Sequence, residues 1–305
     1  MVEILLATYN GEKFIQDQLE SLINQTYNDF IVTIRDDGST DNTMSIIERY
    51  VDKYPDIFRI INDDLQCGSA ASNFCELTRV STGDYLMFCD QDDYWFPNKV
   101  EVTLKKMVEL ETARGKETPI LVFTDYIVAD SSLIPVANDN SQIEKYNLDL
   151  PHLLVQNYVT GCLSMINRKL ANMIGDYSSQ ILMHDWWMAL IASAFGIVDH
   201  VSVATMFYRQ HDNNVVGSIN VKSLKYILSK ITDPSIKNSF VLYYNQASLL
   251  LDRFETISKD DNLKTVLDFI DIGNQKHKIK RIYKLLNGRY LKSDLFRIIG
   301  QIILV

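Results

Sequence analysis

The apolar positions of the first 130 residues fall into short runs separated by amphipathic stretches at a regular spacing. EILLATY (3–9), DFIVTIRDD (29–37), IFRIIND (57–63), DYLMFCD (84–90) and ILVFTDYIVAD (120–130) read as five buried strands. Between them the apolar period lengthens to that of a helix. In NGEKFIQDQLESLINQ, the residues Phe14, Ile15, Leu19, Leu22 and Ile23 form one stripe. In STDNTMSIIERYVDKY, Met44, Ile47 and Val51 form another, with Ser39, Thr40 or Asp41 placed to cap it. SAASNFCELTRVST predicts a third helix, and PNKVEVTLKKMVELE a fourth with Pro97 at its first position.

Strands alternating with helices predict right-handed crossovers and an α/β fold with a mostly parallel sheet flanked by helices. In such sheets ligands bind beyond the carboxyl ends of the strands. That rule selects Thr8-Tyr9-Asn10, Arg35-Asp36-Asp37-Gly38 and Asp90-Gln91-Asp92-Asp93, all polar and two of the three acidic.

Residues 131–150 are polar and irregular, and predict a loop over that edge. From 151 to 217 the pattern gives a short helix, a strand around CLSMIN, a helix bearing HDWWMALIASAF and a strand around VATMFYRQH. From about 218 it is helical to the end. The expected organisation is a domain over 1–217, with a nucleotide-binding half to about 130 and an acceptor half after it, followed by a helical region over 218–305.

Charge changes this picture at the C-terminus. Residues 276–305 carry eight Lys/Arg and one Asp, net +7, so the preceding 275 residues carry −16 of the total −9. Ile279, Ile282, Leu285 and Leu286 share one face of that segment, which suits an anionic membrane surface; a cap on the main domain or a homodimer contact are the alternatives. The acidic balance of the whole excludes a general nucleic-acid binder. Cys67, Cys75, Cys89 and Cys162 form neither a C-x-x-C pair nor a zinc spacing, and read as reduced thiols. With no basic leader and no apolar run of about 18 residues, the expected location is cytoplasmic, peripheral on the inner face of the plasma membrane.

Asp90-Gln91-Asp92 is a D-x-D. Carboxylate oxygens are hard ligands suited to Mg²⁺ or Mn²⁺, and an ion held by one of them keeps open positions for diphosphate oxygens. Alone the motif reads equally as a solvated acidic turn before a helix. Together, TYNGE (8–12), RDDGSTDNT (35–43), GDYLMFCDQDDYWFPNK (83–99) and HDWW (184–187) resemble the family 2 glycosyltransferases of the GT-A fold from residue 3 to about 215. The DQDDYW block and YRQHDNNVVGS (208–218) are most similar to bacterial rhamnosyltransferases of cell-wall and capsular polysaccharide assembly.

The resemblance implies roles residue by residue. Thr8 and Asp37 match the residues that hold the nucleotide base, with Tyr9 and Glu12 in the same pocket; Asp37 would otherwise read as an Asx-turn with Gly38. Asp90 matches the residue facing the ribose, with Gln91 beside it, and Asp92 the metal ligand. His211 matches a position approaching diphosphate or metal, and Arg209 can pair with phosphate oxygens. The family usually has Gly where this chain has Asp212. Asn73 and Gly68 lie where the donor's sugar and ribose pass, and Gly161 lets the chain approach that sugar. Asp185 matches the catalytic base, with His184 and Trp186 on the acceptor side. The implied reaction is metal-dependent, inverting transfer from a dTDP- or UDP-sugar, with dTDP-rhamnose favoured, to a saccharide or polyprenyl-linked saccharide. UDP-glucose or UDP-galactose transfer and a non-catalytic sugar-nucleotide-binding subunit are the competing assignments. The first loop has no G-x-G-x-x-G, which excludes a dehydrogenase.

Overall fold

The computed structural model describes residues 1–63, 65–136, 147–211, 239–255 and 261–305. Its centre is an eight-stranded mixed sheet in the order β3-β2-β1-β4-β7-β6-β8-β5. The strands are β1 (Val2–Thr8), β2 (Phe30–Asp36), β3 (Phe58–Ile60), β4 (Tyr85–Cys89), β5 (Tyr94–Trp95), β6 (Ile120–Ala129), β7 (Ser164–Asn167) and β8 (Ile197–Arg209). β1, β2, β3 and β4 run parallel, as do β6 and β8. β7 lies antiparallel between β4 and β6. All five strands expected in the first 130 residues are present, because their Val, Ile, Leu and Phe side chains are buried on both faces of a covered sheet.

The helices of the first half are α1 (Ile15–Ile23), α2 (Thr43–Lys53), α3 (Ala70–Val80) and α4 (Lys99–Arg114). Ser69 caps α3 by accepting from the Ser72 amide. α2 has Asn42 at its N-cap, and Asp41 accepts from the Thr43 amide at 3.0 Å. α4 starts two residues beyond Pro97, after Asn98. Next come α5 (Leu150–Leu153), a 3₁₀ turn at Gly161–Leu163, α6 (Arg168–Ile174) and α7 (His184–Phe195). α7 is apolar around nearly its whole circumference and is buried accordingly.

The C-terminal region forms α8 (Ser239–Phe254), α9 (Asp261–Asn274), α10 (Lys278–Asn287) and α11 (Leu295–Leu304). Phe254 packs on Phe195, and Tyr243 meets Trp186 edge-on, so these helices share a core with α7. Asp212, most of the polar stretch after β6 and the beginning of the C-terminal region lie outside the described residues. No helix among the described residues is long and apolar enough to cross a membrane.

Candidate active site

The carboxyl ends of β1, β2 and β4 lie side by side, and their polar residues are bound into one another. Thr8 donates its hydroxyl to Asp36 at 2.7 Å. Asp36 also accepts from the Gly38 and Ser39 amides, so the turn after β2 is closed by Asp36 rather than by its neighbour. Asp37 bonds instead to the β3–α3 connection: its carboxylate accepts from the Cys67 and Gly68 amides at 2.5 and 2.8 Å and lies 3.4 Å from Arg35 Nη1. The buried Arg35 guanidinium also grips Asp63 through two bonds, at 3.0 and 2.8 Å, and donates to Asn73 Oδ1 at 2.9 Å. Asn73 is therefore placed beneath Arg35, inside the protein.

Glu12 accepts from the Asn42 amide and side chain at 3.0 and 2.9 Å, which fastens the first loop to the start of α2. Tyr9 is exposed, and its backbone is clasped by the Gln91 amide, which accepts from Tyr9 N and donates to Tyr9 O, both at 2.9 Å. A methyl group placed on Gly11 would come within 2.3 Å of the same Gln91 side chain, so the glycine of TYNGE makes room for the clasp. Gly68 has a φ of +70°, a left-handed conformation natural to glycine, with open space beside it.

Three carboxylates follow β4 in three environments. Asp92 is partly exposed and lies 2.8 Å from His211 Nε2; His211 in turn stacks on Phe14 with ring centroids 4.7 Å apart. Asp93 is buried: Oδ1 accepts from the Arg209 amide at 3.2 Å and Oδ2 has no hydrogen-bond partner among the described residues. Burial, then Asp92 and Asp90, push its carboxyl well above the ordinary range. Asp90 is pushed up to about 7, chiefly by burial, then by Asp92, with Asp185 adding to the repulsion.

Beneath them Lys99 is fully buried, 3.1 Å from the Thr205 hydroxyl and 4.7 Å above the Trp95 ring, and burial lowers its pKa to about 8. Arg209 ties the cluster together. Its guanidinium donates to Asp92 O, Ser131 O and Asp17 Oδ2 at 2.7–2.8 Å and lies over the Phe14 ring.

A divalent ion fits Asp92 and His211, which pair a hard oxygen with an imidazole nitrogen on partly exposed side chains. The ligand atoms of Asp90, Asp93 and Cys162 also lie within 4.8 Å of one another. That set suits a hard cation less well, because burial holds the Cys162 thiol protonated.

Asp185 sits in the first turn of α7, nearly buried, and three donors hold its carboxylate. Asn157 Nδ2 and the Trp186 amide reach Oδ1 at 3.0 and 2.6 Å, and the Gly161 amide reaches Oδ2 at 3.0 Å. Burial raises its pKa to about 6 against these bonds, which favour the charged form. The mutual repulsion with Asp90 shows that the two carboxylates face a common space.

His184 is buried between Phe74 and Phe88, both ring nitrogens unbonded, and burial drops its pKa to about 3, so the ring is neutral. A methyl group on Gly161 would meet its Nε2 at 2.5 Å. Trp186 is also largely buried, its indole donating to Leu153 O at 2.6 Å, and Trp187 is wholly in the core. The structure thus brings Thr8, Gln91, Asp90, Asp92, His211, Gly161 and Asp185 to one edge of the sheet. It places Asn73 and the Trp186 ring behind that edge.

Arg35, Lys99 and Asn157 are part of this architecture and escaped the sequence reading. An arginine inside a strand run and a lysine in the first turn of a helix both read as solvated. A single asparagine in an irregular stretch has no periodicity to mark it.

Comparisons with known proteins agree with this layout. The family model "Glycosyl transferase family 2" matches residues 3–116, which span β1 to α4. The dTDP-rhamnosyl transferase RfbG of Shigella flexneri is 29% identical over 224 residues, covering 70% of this chain and 74% of RfbG. Two further curated relatives are spanned over less of their own length, 48% and 63%. Among solved structures, Staphylococcus aureus TarS 1-349 in complex with UDP-GlcNAc superposes with a TM-score of 0.55 at 16% identity, covering 99% of this chain and 90% of TarS. The Pyrobaculum calidifontis mannosyltransferase PcManGT, in complex with GDP-Man and Mn2+, gives 0.55 at 14% identity, covering 94% and 79%. A mixed sheet of this order, an acidic cluster at the end of β4 and the family match over the nucleotide-binding half lead to one assignment: the chain is a glycosyltransferase of family 2, built on the GT-A fold.

Proposed function

We propose that the protein transfers L-rhamnose from dTDP-rhamnose, with inversion, to a saccharide or polyprenyl-linked saccharide acceptor in the assembly of a bacterial surface polysaccharide. The observation that carries the mechanism is the oriented Asp185 carboxylate facing Asp90. The 29% identity to RfbG supports the donor. Asp37 and Thr8 lie where a pyrimidine base would bind, and Asp90 where the ribose hydroxyls would bind.

In a single displacement the acceptor oxygen bonds to the anomeric carbon as the bond to the diphosphate oxygen breaks, and the acceptor's proton must leave in the same step. Oδ2 of Asp185 takes one hydrogen bond where Oδ1 takes two, so it keeps the freer lone pair and receives the proton. Asp92 and His211 would hold Mg²⁺ or Mn²⁺, which when bound supplies positive charge to the nucleoside diphosphate. Nucleotide release from a panel of dTDP- and UDP-sugars, each with its metal and with EDTA, tests this reading. Release from dTDP-rhamnose is expected. Release only from a UDP-hexose would overturn the donor and leave the class.

The C-terminal helices favour a membrane location for the same reaction. Leu285 is buried, but Ile279 (82%) and Tyr283 (67%) on α10 and Leu295 (68%) and Phe296 (56%) on α11 are exposed. Lys278 bonds to Ile303 O at 2.6 Å and ties the two helices into one surface, within a segment of net +7. Apolar side chains among lysines and arginines complement an anionic bilayer. The protein is expected to float with phosphatidylglycerol-containing vesicles and not with phosphatidylcholine alone, and Leu295→Ser/Phe296→Ser should abolish flotation. A salt-independent dimer formed through this face would overturn the membrane assignment.

A further inference from the structure

The residue nearest to Asp185 that no comparison singles out is Asn157, and its neighbour reaches the far end of the chain. Asn157 Nδ2 donates to Asp185 Oδ1 at 3.0 Å, while its own Oδ1 accepts from the Val159 amide at 3.0 Å, which fixes the orientation of the amide group. Gln156 forms a two-way bond with Ser293, in the turn between α10 and α11: Gln156 Nε2 donates to Ser293 Oγ at 3.2 Å, and the Ser293 amide donates to Gln156 Oε1 at 3.0 Å. A second path runs in parallel. Lys292 lies 5.4 Å from the centre of the Tyr243 ring, Tyr243 packs edge-on against Trp186 at 5.2 Å, and Trp186 both follows Asp185 and anchors to Leu153.

We propose that Asn157 is a positioning residue for the Asp185 carboxylate, and that Gln156–Ser293 makes this positioning depend on the C-terminal helical hairpin. This rests on the reading of Asp185 as the base. A carboxylate set 1 Å out of place loses its approach to the acceptor hydroxyl, so an element that fixes its plane sets the rate without touching substrate. Surface-bound hairpin and catalytic carboxylate are then two ends of one short chain of contacts, in which only residues 156 and 157 intervene on the hydrogen-bonded side.

The titratable groups that face Asp185 are Asp90, from the end of β4, and His184 on its own helix; the segment carrying Asn157 and Gly161 presents uncharged donors. Asn157→Ala removes a donor that favours the ionised carboxylate. It should lower kcat by roughly ten- to a hundredfold, keep the donor KM within about twofold, and move the acidic limb of the kcat profile up by about one pH unit. Ser293→Ala, remote from the substrates, should shift kcat and the limb in the same direction by a smaller factor, and the double variant with Asn157→Ala should add little further.

Unchanged kcat and pH profile in Asn157→Ala, with Asp185→Asn inactive, would overturn the positioning role while leaving the base in place. An active Asp185→Asn would overturn the base and this inference together. Should Asn157→Ala fail to fold, Ser293→Ala decides the coupling, since a shift in melting temperature with an unmoved pH limb marks a structural contact alone.

Discussion

Asp185→Asn is expected to lower kcat by ~10²–10⁴-fold, the usual contribution of a positioned general base. The substitution keeps the shape of the side chain, so nucleotide affinity should remain near that of the parent. The amide also cannot take the acceptor's proton. The pH dependence follows from the raised pKa of about 6. The working form is the carboxylate, so turnover should fall as pH drops through about 6 and level off above it, and Asp185→Asn should lose that limb. The measurement is kcat against pH for both proteins, with nucleotide binding followed separately. A retained acidic limb in the variant would assign the titration to another group.

The second large effect is expected at Asp92. Asp92→Ala should weaken Mn²⁺ binding, measured by calorimetry on the protein without donor, and should lower turnover by ~10²–10³-fold, since charge neutralisation at a diphosphate contributes several kcal/mol. His211→Ala should act in the same direction with a smaller factor, because it leaves the harder ligand in place. Full activity in EDTA, or Mn²⁺ binding unaltered by Asp92→Ala, would remove Asp92 from this role.

Much of the nucleotide-binding half was legible because burial on both faces makes its strands continuous apolar runs, and because polar residues at their carboxyl ends stand out against them. EILLATY and DYLMFCD could hardly be anything else, and the loops that follow them could be named before any coordinates. The second half was less legible. β7 is four residues long and antiparallel, and nothing in SMIN states its direction. The partners of the acidic residues were illegible for a different reason. Whether Asp36 or Asp37 closes the turn depends on backbone angles, and the identical side chains carry no information about it. Lys99 is inside only because Trp95 and Thr205 converge on it from β5 and β8, over 100 residues apart. Asn157 matters through one hydrogen bond to a residue 28 positions away. Such contacts are properties of the folded chain, and periodicity does not encode them.

The direction of β7 has a bearing on how this enzyme can vary. β4 and β7 pair antiparallel with Tyr85 opposite Asn167 and Met87 opposite Met165, so the start of one strand stands level with the end of the other. That is why Gly161, just ahead of β7, can offer its amide to Asp185 beside the aspartates that follow β4. The pairing acts as a ruler: one inserted residue between Gly161 and Ser164 would displace the anchor by about 3.4 Å and turn the strand's faces over. The number of residues between Ala129 and Leu150 is under no such constraint. Lineages can therefore lengthen, shorten or replace that stretch to suit new acceptors, while the few residues from Gly161 to β7 stay fixed in length.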